Sequence, residues 1–183
     1  MHIIMRFVMS MLPYMLIAIP VYIVARCAFL RIRKMRSNWH REVVMLLFAA
    51  FLIGLASQTV IPGIVSNGSH TVNFIPFKFV WETYTEVFLN DNISYLLINI
   101  MGNIILFVPI GLGVPLLWSV SGRLTLVIGF LSSLFIELCQ LFMLRGTDVD
   151  DLILNTLGVL LGVLLYKLLQ RHCAKAIAPF RLK

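Results

Sequence analysis

The sequence predicts an all-α integral membrane helical bundle of about five transmembrane helices, with one further amphipathic helix at the outer interface. Three observations carry that expectation. Hydrophobic residues make up 60% of the 183 positions and charged residues 13%, against ~25% charge in a soluble domain. Five runs, Phe7–Ala25, Val43–Val65, Leu96–Trp118, Leu124–Leu144 and Leu152–Leu169, are almost free of charge, and their lengths suit a bilayer core that needs roughly 17 to 25 apolar residues. The runs are continuous rather than alternating, so they read as helices, which satisfy their own backbone groups in lipid.

The first run follows a single Arg6, as a cleavable signal would. It is long, however, contains Pro13 and Pro20, and meets no small-x-small cleavage site before Arg26, so it is expected to stay as a helix bent at its prolines. The first connection holds Arg26, Arg31, Arg33, Lys34, Arg36 and Arg41. Arg123 lies in the third connection, and Lys167, Arg171, Lys175, Arg181 and Lys183 fill the end of the chain. With alternating helices all of these fall on one side, leaving Arg6, Lys78 and Arg145 on the other. Lys and Arg mark cytoplasmic loops, so the N-terminus is expected outside and the C-terminus in the cytoplasm. The net charge of +7 is therefore a topology signal rather than a nucleic-acid footprint.

The second connection, about Ser66 to Tyr95, opens with the turn signal Asn67-Gly68-Ser69. From Phe77 onward Phe77, Val80, Trp81, Tyr84 and Phe88 share one helical face, and Lys78 and Glu82 can pair at i,i+4. Such a helix suits the outer interface, or a position over the bundle mouth. Three units follow: residues 1–65, two helices and a basic cytoplasmic loop; residues 66–169, the core; and residues 170–183, a basic cytoplasmic tail. Cys27, Cys139 and Cys173 lie far apart without CxxC spacing, so neither a disulfide framework nor a metal site is expected.

The polar residues inside the spans gather toward one leaflet. Asn99 and Asn103 lie four apart, Glu137 and Gln140 three apart, and Asp151 and Asn155 four apart. Arg145 ends the fourth helix, and Asp148 and Asp150 precede the fifth. Short connections make these helices neighbours, so the polar faces can meet in an outward-facing pocket. Ionisable groups in a span cost roughly 2.5–3.5 kcal/mol, which favours a functional or paired role. Each also has a plain structural reading. Asp148 can cap a helix and Asp151 can favour its first turn; the asparagines can bridge helices; Gly158 and Gly162 can permit close packing; Glu137 and Arg145 can form an ion pair.

These residues carry a resemblance to the VanZ-like membrane proteins, whose namesake is associated with teicoplanin resistance. The matching pieces are Asn73-Phe-Ile-Pro76-Phe77, Asn99-Ile-Met-Gly102-Asn103 with Phe107-Val-Pro109-Ile-Gly111, Ser133 to Gln140, and Arg145-Gly-Thr-Asp148-Val-Asp150-Asp151 running into Asn155-Thr-Leu-Gly158. The resemblance implies a bacterial cell-envelope protein linked to glycopeptide susceptibility. The leading expectation is a non-enzymatic role. A pocket of Asn73, Asn99, Asn103, Glu137, Gln140, Arg145, Asp148, Asp150, Asp151 and Asn155 would bind an envelope lipid, a lipid-linked cell-wall precursor or a lipoglycopeptide. No cofactor and no nucleic-acid partner is expected. A metal-dependent enzyme using Glu137 and the aspartates, and a lipid flippase, are the alternatives.

Overall fold

The computed structural model describes residues 2–34, 38–59, 72–142 and 147–180. The Asn67-Gly68-Ser69 turn, Arg145, and the expected helix ends at Val65 and Leu144 lie outside the described residues. The chain is nearly all helical. In order it forms α1 (His2–Ile32), α2 (Trp39–Thr59), β1 (Val72–Asn73), α3 (Lys78–Tyr84) and α4 (Ile93–Tyr95). Then come α5 (Gly102–Trp118), α6 (Gly122–Phe142), β2 (Thr147–Asp148), α7 (Val149–His172) and α8 (Ala174–Ile177). A π-helical turn, Thr85–Leu89, continues α3, and a second, Leu96–Met101, joins α4 to α5.

Five helical stretches are long and apolar enough to cross a membrane: Met9–Ile32, Trp39–Thr59, Ile93–Trp118, Gly122–Phe142 and Val149–His172. They fit a multi-pass membrane protein. α1 runs through Pro13 and Pro20 as one helix. No residue of its apolar window is fully buried within the bundle. It is held to α2 by a bidentate ion pair, in which Arg26 donates through Nε and a terminal nitrogen to both Glu42 oxygens at 2.8 Å. Fork-to-carboxylate geometry of this kind fixes direction as well as energy. Farther along the pair, Met11 and Met15 lie against Gly54.

The centre of the bundle is the contact of α5 with α7. A methyl group on Gly111 would run into the carbonyl oxygen of Val159 and lie 2.9 Å from the Cα of Gly162. One on Gly162 would run into the carbonyl of Val108 and lie 2.8 Å from the Cα of Gly111. Gly158 meets the Ile104 carbonyl in the same way. Here two backbones touch. In lipid, where apolar side chains gain nothing by leaving solvent, such close approach supplies the dispersion contacts that hold helices together. α6 closes on the same seam by setting Gly129 against the Val159 side chain, which is fully buried. Leu55, Phe107, Ile110, Val114, Ile136 and Val159 complete the core.

The ends of these helices are set locally. Asp148 caps α7, its side chain accepting the Asp150 N–H at 2.8 Å. Asp150 and Asp151 occupy the first turn, and Arg171 and His172 the last, each charge matching the helix dipole. α5 ends at Ser119, which takes a left-handed conformation at φ 54° and donates its N–H to the Pro115 carbonyl.

Replacing Gly111 or Gly162 with Val should separate α5 from α7. The expected cost is about 1–3 kcal/mol or more, as for other overpacked cores, read as a lower unfolding midpoint in a detergent titration. Gly122→Ala, at the start of α6, serves as the milder comparison.

Candidate functional site

One end of the bundle collects the carboxylates. Its frame is a short parallel pairing of β1 with β2, with Val72 opposite Thr147 and Asn73 opposite Asp148. This pairing joins the segment before α3 to the segment before α7. The Asn73 side-chain amide donates to Asp148 Oδ1 at 2.8 Å, and its own Oδ1 accepts the Ile75 N–H at 3.1 Å. The Asp148 N–H in turn donates to Glu137 Oε2 at 3.1 Å. Glu137, on α6, is only 6% exposed, so this link joins α6 to the start of α7 inside the protein. The Thr147 hydroxyl donates to the Glu137 carbonyl at 3.5 Å.

Asp150 has a different task. Its two oxygens accept the backbone N–H groups of Phe77 at 2.6 Å and Phe79 at 2.8 Å. Phe77 sits at φ 64°, a left-handed conformation rare outside Gly, Asn and Asp. The buried carboxylate thus holds the entry of α3 in a turn that its own side chain disfavours, and satisfies two N–H groups that a short helix leaves open.

A second layer lies one helical turn deeper. Asn103 on α5 donates to Asp151 Oδ1 at 2.5 Å and to the Asn99 carbonyl at 3.0 Å. Below it, Asn155 on α7 donates to Ser133 on α6 at 2.9 Å. Asn155 and Ser133 are buried, and the Asn155 Oδ1 has no hydrogen-bond donor among the described residues.

Of the sequence candidates, Asn73, Asn103, Glu137, Asp148, Asp150, Asp151 and Asn155 come together at this end. Asn99 contributes only its backbone carbonyl, and its side chain is exposed. Asn99 lies within the π-helical turn Leu96–Met101 rather than in the regular helix that carries Asn103. Gln140 is turned instead to α2, where it donates to the Thr59 carbonyl at 3.4 Å. Arg145 lies outside the described residues. Among the described residues, no group of three or more His, Cys, Asp or Glu side chains is arranged to hold a metal ion. A cavity of about 230 Å³ lies elsewhere, lined in part by Ser119, Ser121, Gly122, Tyr166, Lys167 and Gln170.

α3 presents its aromatic face outward. Phe77, Val80, Trp81, Tyr84 and Phe88 are all exposed. Trp81 stacks on Tyr84 with ring centroids 5.7 Å apart, and Tyr84 packs on Phe88 at 5.5 Å. On the flank, Lys78 pairs with Glu82 at 2.7 Å, and the Tyr95 hydroxyl donates to Glu82 at 2.8 Å. The Lys78 ammonium, as hydrogen-bond partner, holds the Glu82 carboxyl below its ordinary range.

The backbone amides of Phe77 and Phe79, Thr147, and the Tyr95–Glu82 link have no counterpart in the sequence reading. A free N–H has no sequence signature, and the partners are far apart in the chain.

The model of the VanZ/LLP1 family matches residues 42–170, and the chain belongs to that family. The match begins in α2 and runs through α7, so it covers both the glycine seam and the carboxylate end. No curated protein and no solved structure matches the chain.

Asp150→Asn leaves one of the Phe77 and Phe79 amides facing an NH₂ group. Hydrogen bonds to charged groups are worth ~1.5–3 kcal/mol, so exchange of those two amides should accelerate about tenfold or more, read by hydrogen–deuterium exchange. The Glu82 contact gives a pH signature. Its folded-state pKa is depressed, so its contribution is complete above the unfolded value and is lost as pH falls through the folded one. Trp81 emission should therefore hold steady from neutral pH down to the ordinary Glu range and change only below it, and the change should vanish in Glu82→Gln.

Proposed function

We propose that this VanZ/LLP1-family chain is a cell-envelope protein that binds an amphiphilic envelope component at its carboxylate end. The observation that carries the reading is convergence. Polar side chains from α5, α6 and α7, and from the segment before α3, meet at one end of a membrane-sized bundle, beside a strip of exposed aromatic side chains. Polar groups of this kind are costly in lipid. An exposed aromatic strip on a helix between two spans suits the membrane–water boundary.

The orientation follows from charge. Arg26, Arg31, Arg33, Arg41, Arg123, Lys167 and Arg171 lie toward the opposite helix ends, so that end is assigned to the cytoplasm and the carboxylate end to the outside. A ligand there would place its headgroup on the polar cluster and its acyl chain along Trp81, Tyr84 and Phe88. A lipid-linked cell-wall precursor or a lipoglycopeptide has that form. Holding either would lower drug access to its target, which connects the site to teicoplanin resistance. Arg145, three residues before Asp148 in the sequence, is the cation we assign to an acidic group of such a ligand.

Expression in a glycopeptide-sensitive Gram-positive host tests this reading. The wild type should raise the teicoplanin threshold, whereas Glu137→Gln and Arg145→Ala, at matched membrane levels, should not. Full resistance in both variants would refute ligand binding at this end. No change with the wild type would remove resistance as the role.

A further inference from the structure

The end of the bundle opposite the carboxylates holds the cavity of about 230 Å³, between the connection from α5 to α6 and the last turns of α7. Its described lining includes Ser119, Ser121, Gly122, Tyr166, Lys167 and Gln170. A Cβ at Gly122 would lie 2.9 Å from a Val163 methyl, 3.6 Å from Cε of Lys167 and 3.9 Å from its Nζ. The Lys167 ammonium therefore stands over the first residue of α6, and it is the only charged group among the described lining residues.

Among the described residues no carboxylate reaches that charge, and all eight Asp and Glu residues of the chain are among them. Asp151 and Lys167 stand on the same helix about 24 Å apart at a 1.5 Å rise per residue. Glu137 lies about 22 Å along α6 from Gly122 by the same measure. Asp148 and Asp150 open α7 at the far end, and Glu82, Glu86 and Asp91 follow the α3 entry that Asp150 fastens there. The eighth, Glu42, gives both oxygens to Arg26.

The rest of the lining supplies hydrogen-bond donors. Ser121 Oγ accepts the Leu124 N–H at 3.3 Å, which leaves its O–H to donate. The Ser119 hydroxyl and the Gln170 amide have no hydrogen-bond partner among the described residues. Trp118, next to Ser119 in the chain, is exposed, and tryptophan on a membrane helix end suits the membrane–water boundary. The volume is below the roughly 300–1,000 Å³ of sites that enclose a drug-sized ligand, so it suits a headgroup rather than a whole amphiphile.

We infer that this cavity holds the phosphate of an anionic phospholipid headgroup, with Lys167 as its counter-charge and Gln170, Ser119 and Ser121 as donors. The inference is independent of the ligand proposed for the carboxylate end; only the leaflet, the cytoplasmic one, follows from the orientation assigned above. Phosphatidylglycerol brings net negative charge to a site whose own charge is positive. Phosphatidylcholine brings a second cation beside Lys167. Basic residues spread over a membrane face also attract anionic lipid diffusely, whereas a built site concentrates the effect on the lysine that lines it.

The full chain, in nanodiscs of phosphatidylcholine and phosphatidylglycerol with matched acyl chains, would be released into a mass spectrometer and its retained lipid identified. The wild type should enrich phosphatidylglycerol about fivefold or more over the bulk mixture, the scale of one basic residue acting on one anionic headgroup. Lys167→Gln should return the ratio to that of the bulk, and Gln170→Leu should reduce it. Arg31→Gln, at an exposed cation of the same end outside the cavity, should leave it unchanged. Lys167, Gln170 and Arg31 are all exposed, so these replacements leave the core intact. Excess inorganic phosphate, against chloride at equal ionic strength, separates the sources: displacement of the lipid assigns the site to phosphate itself, and retention assigns it to the lipid-borne group. Equal retention of the two lipids by the wild type would overturn the inference. Equal ratios in Lys167→Gln and Arg31→Gln would do the same, by showing diffuse attraction in place of a site.

Discussion

The arrangement of this protein depends on backbone-to-backbone contact between the third and fifth spans. Gly111 and Gly162 face each other so closely that neither can carry a side chain, and Gly158 extends the seam by a turn. In a bilayer apolar surface is already in an apolar solvent, so helices gain by packing closely rather than by escaping water. The seam sets the distance and rotation of α5 against α7. That rotation directs Asn103 of one helix at Asp151 of the other. With larger residues at the seam the two polar groups would be carried apart.

A second consequence concerns the acidic residues before and within the first turn of α7. Asp148, Asp150 and Asp151 lie within four positions of one another, yet each reaches a different element. Asp148 bonds the β1 segment, Asp150 the entry of α3, and Asp151 the third span. A helix start turns successive side chains about 100° apart, so three nearby carboxylates can serve as three separate fastenings. The cap at Asp148 is therefore structural in the ordinary sense and also part of the cluster. The structural and functional readings of this motif are not exclusive: Asp150 spends both oxygens on α3, whereas Asp148, Asp151 and Glu137 each keep one oxygen without a donor among the described residues.

α3 gains its position from the same fastenings. α3 is too short to be stable alone, and its aromatic face is exposed. What holds it is the Asp150 carboxylate at its entry and the Tyr95–Glu82 bond at its side. Both anchors belong to the core matched by the family, and neither uses the aromatic face. That face is left exposed, an apolar strip on the helix whose entry Asp150 holds.

The sequence alone was enough to place five apolar helices, to find the basic residues massed toward one set of helix ends, and to mark the aromatic face of α3. Hydropathy, charge and helical periodicity are local properties, and a run of twenty apolar residues carries its meaning wherever it is packed. The family motifs were equally legible, because their residues stand in fixed order. Partners were another matter. Asn73 meets Asp148 across 75 positions and Asn103 meets Asp151 across 48, and no local pattern announces such pairs. Asn99 keeps its side chain exposed, and Gln140 bonds the Thr59 carbonyl instead of the cluster. Which polar residues share a site is decided by helix rotation and proximity, and those exist only once the glycine seam has brought the spans together.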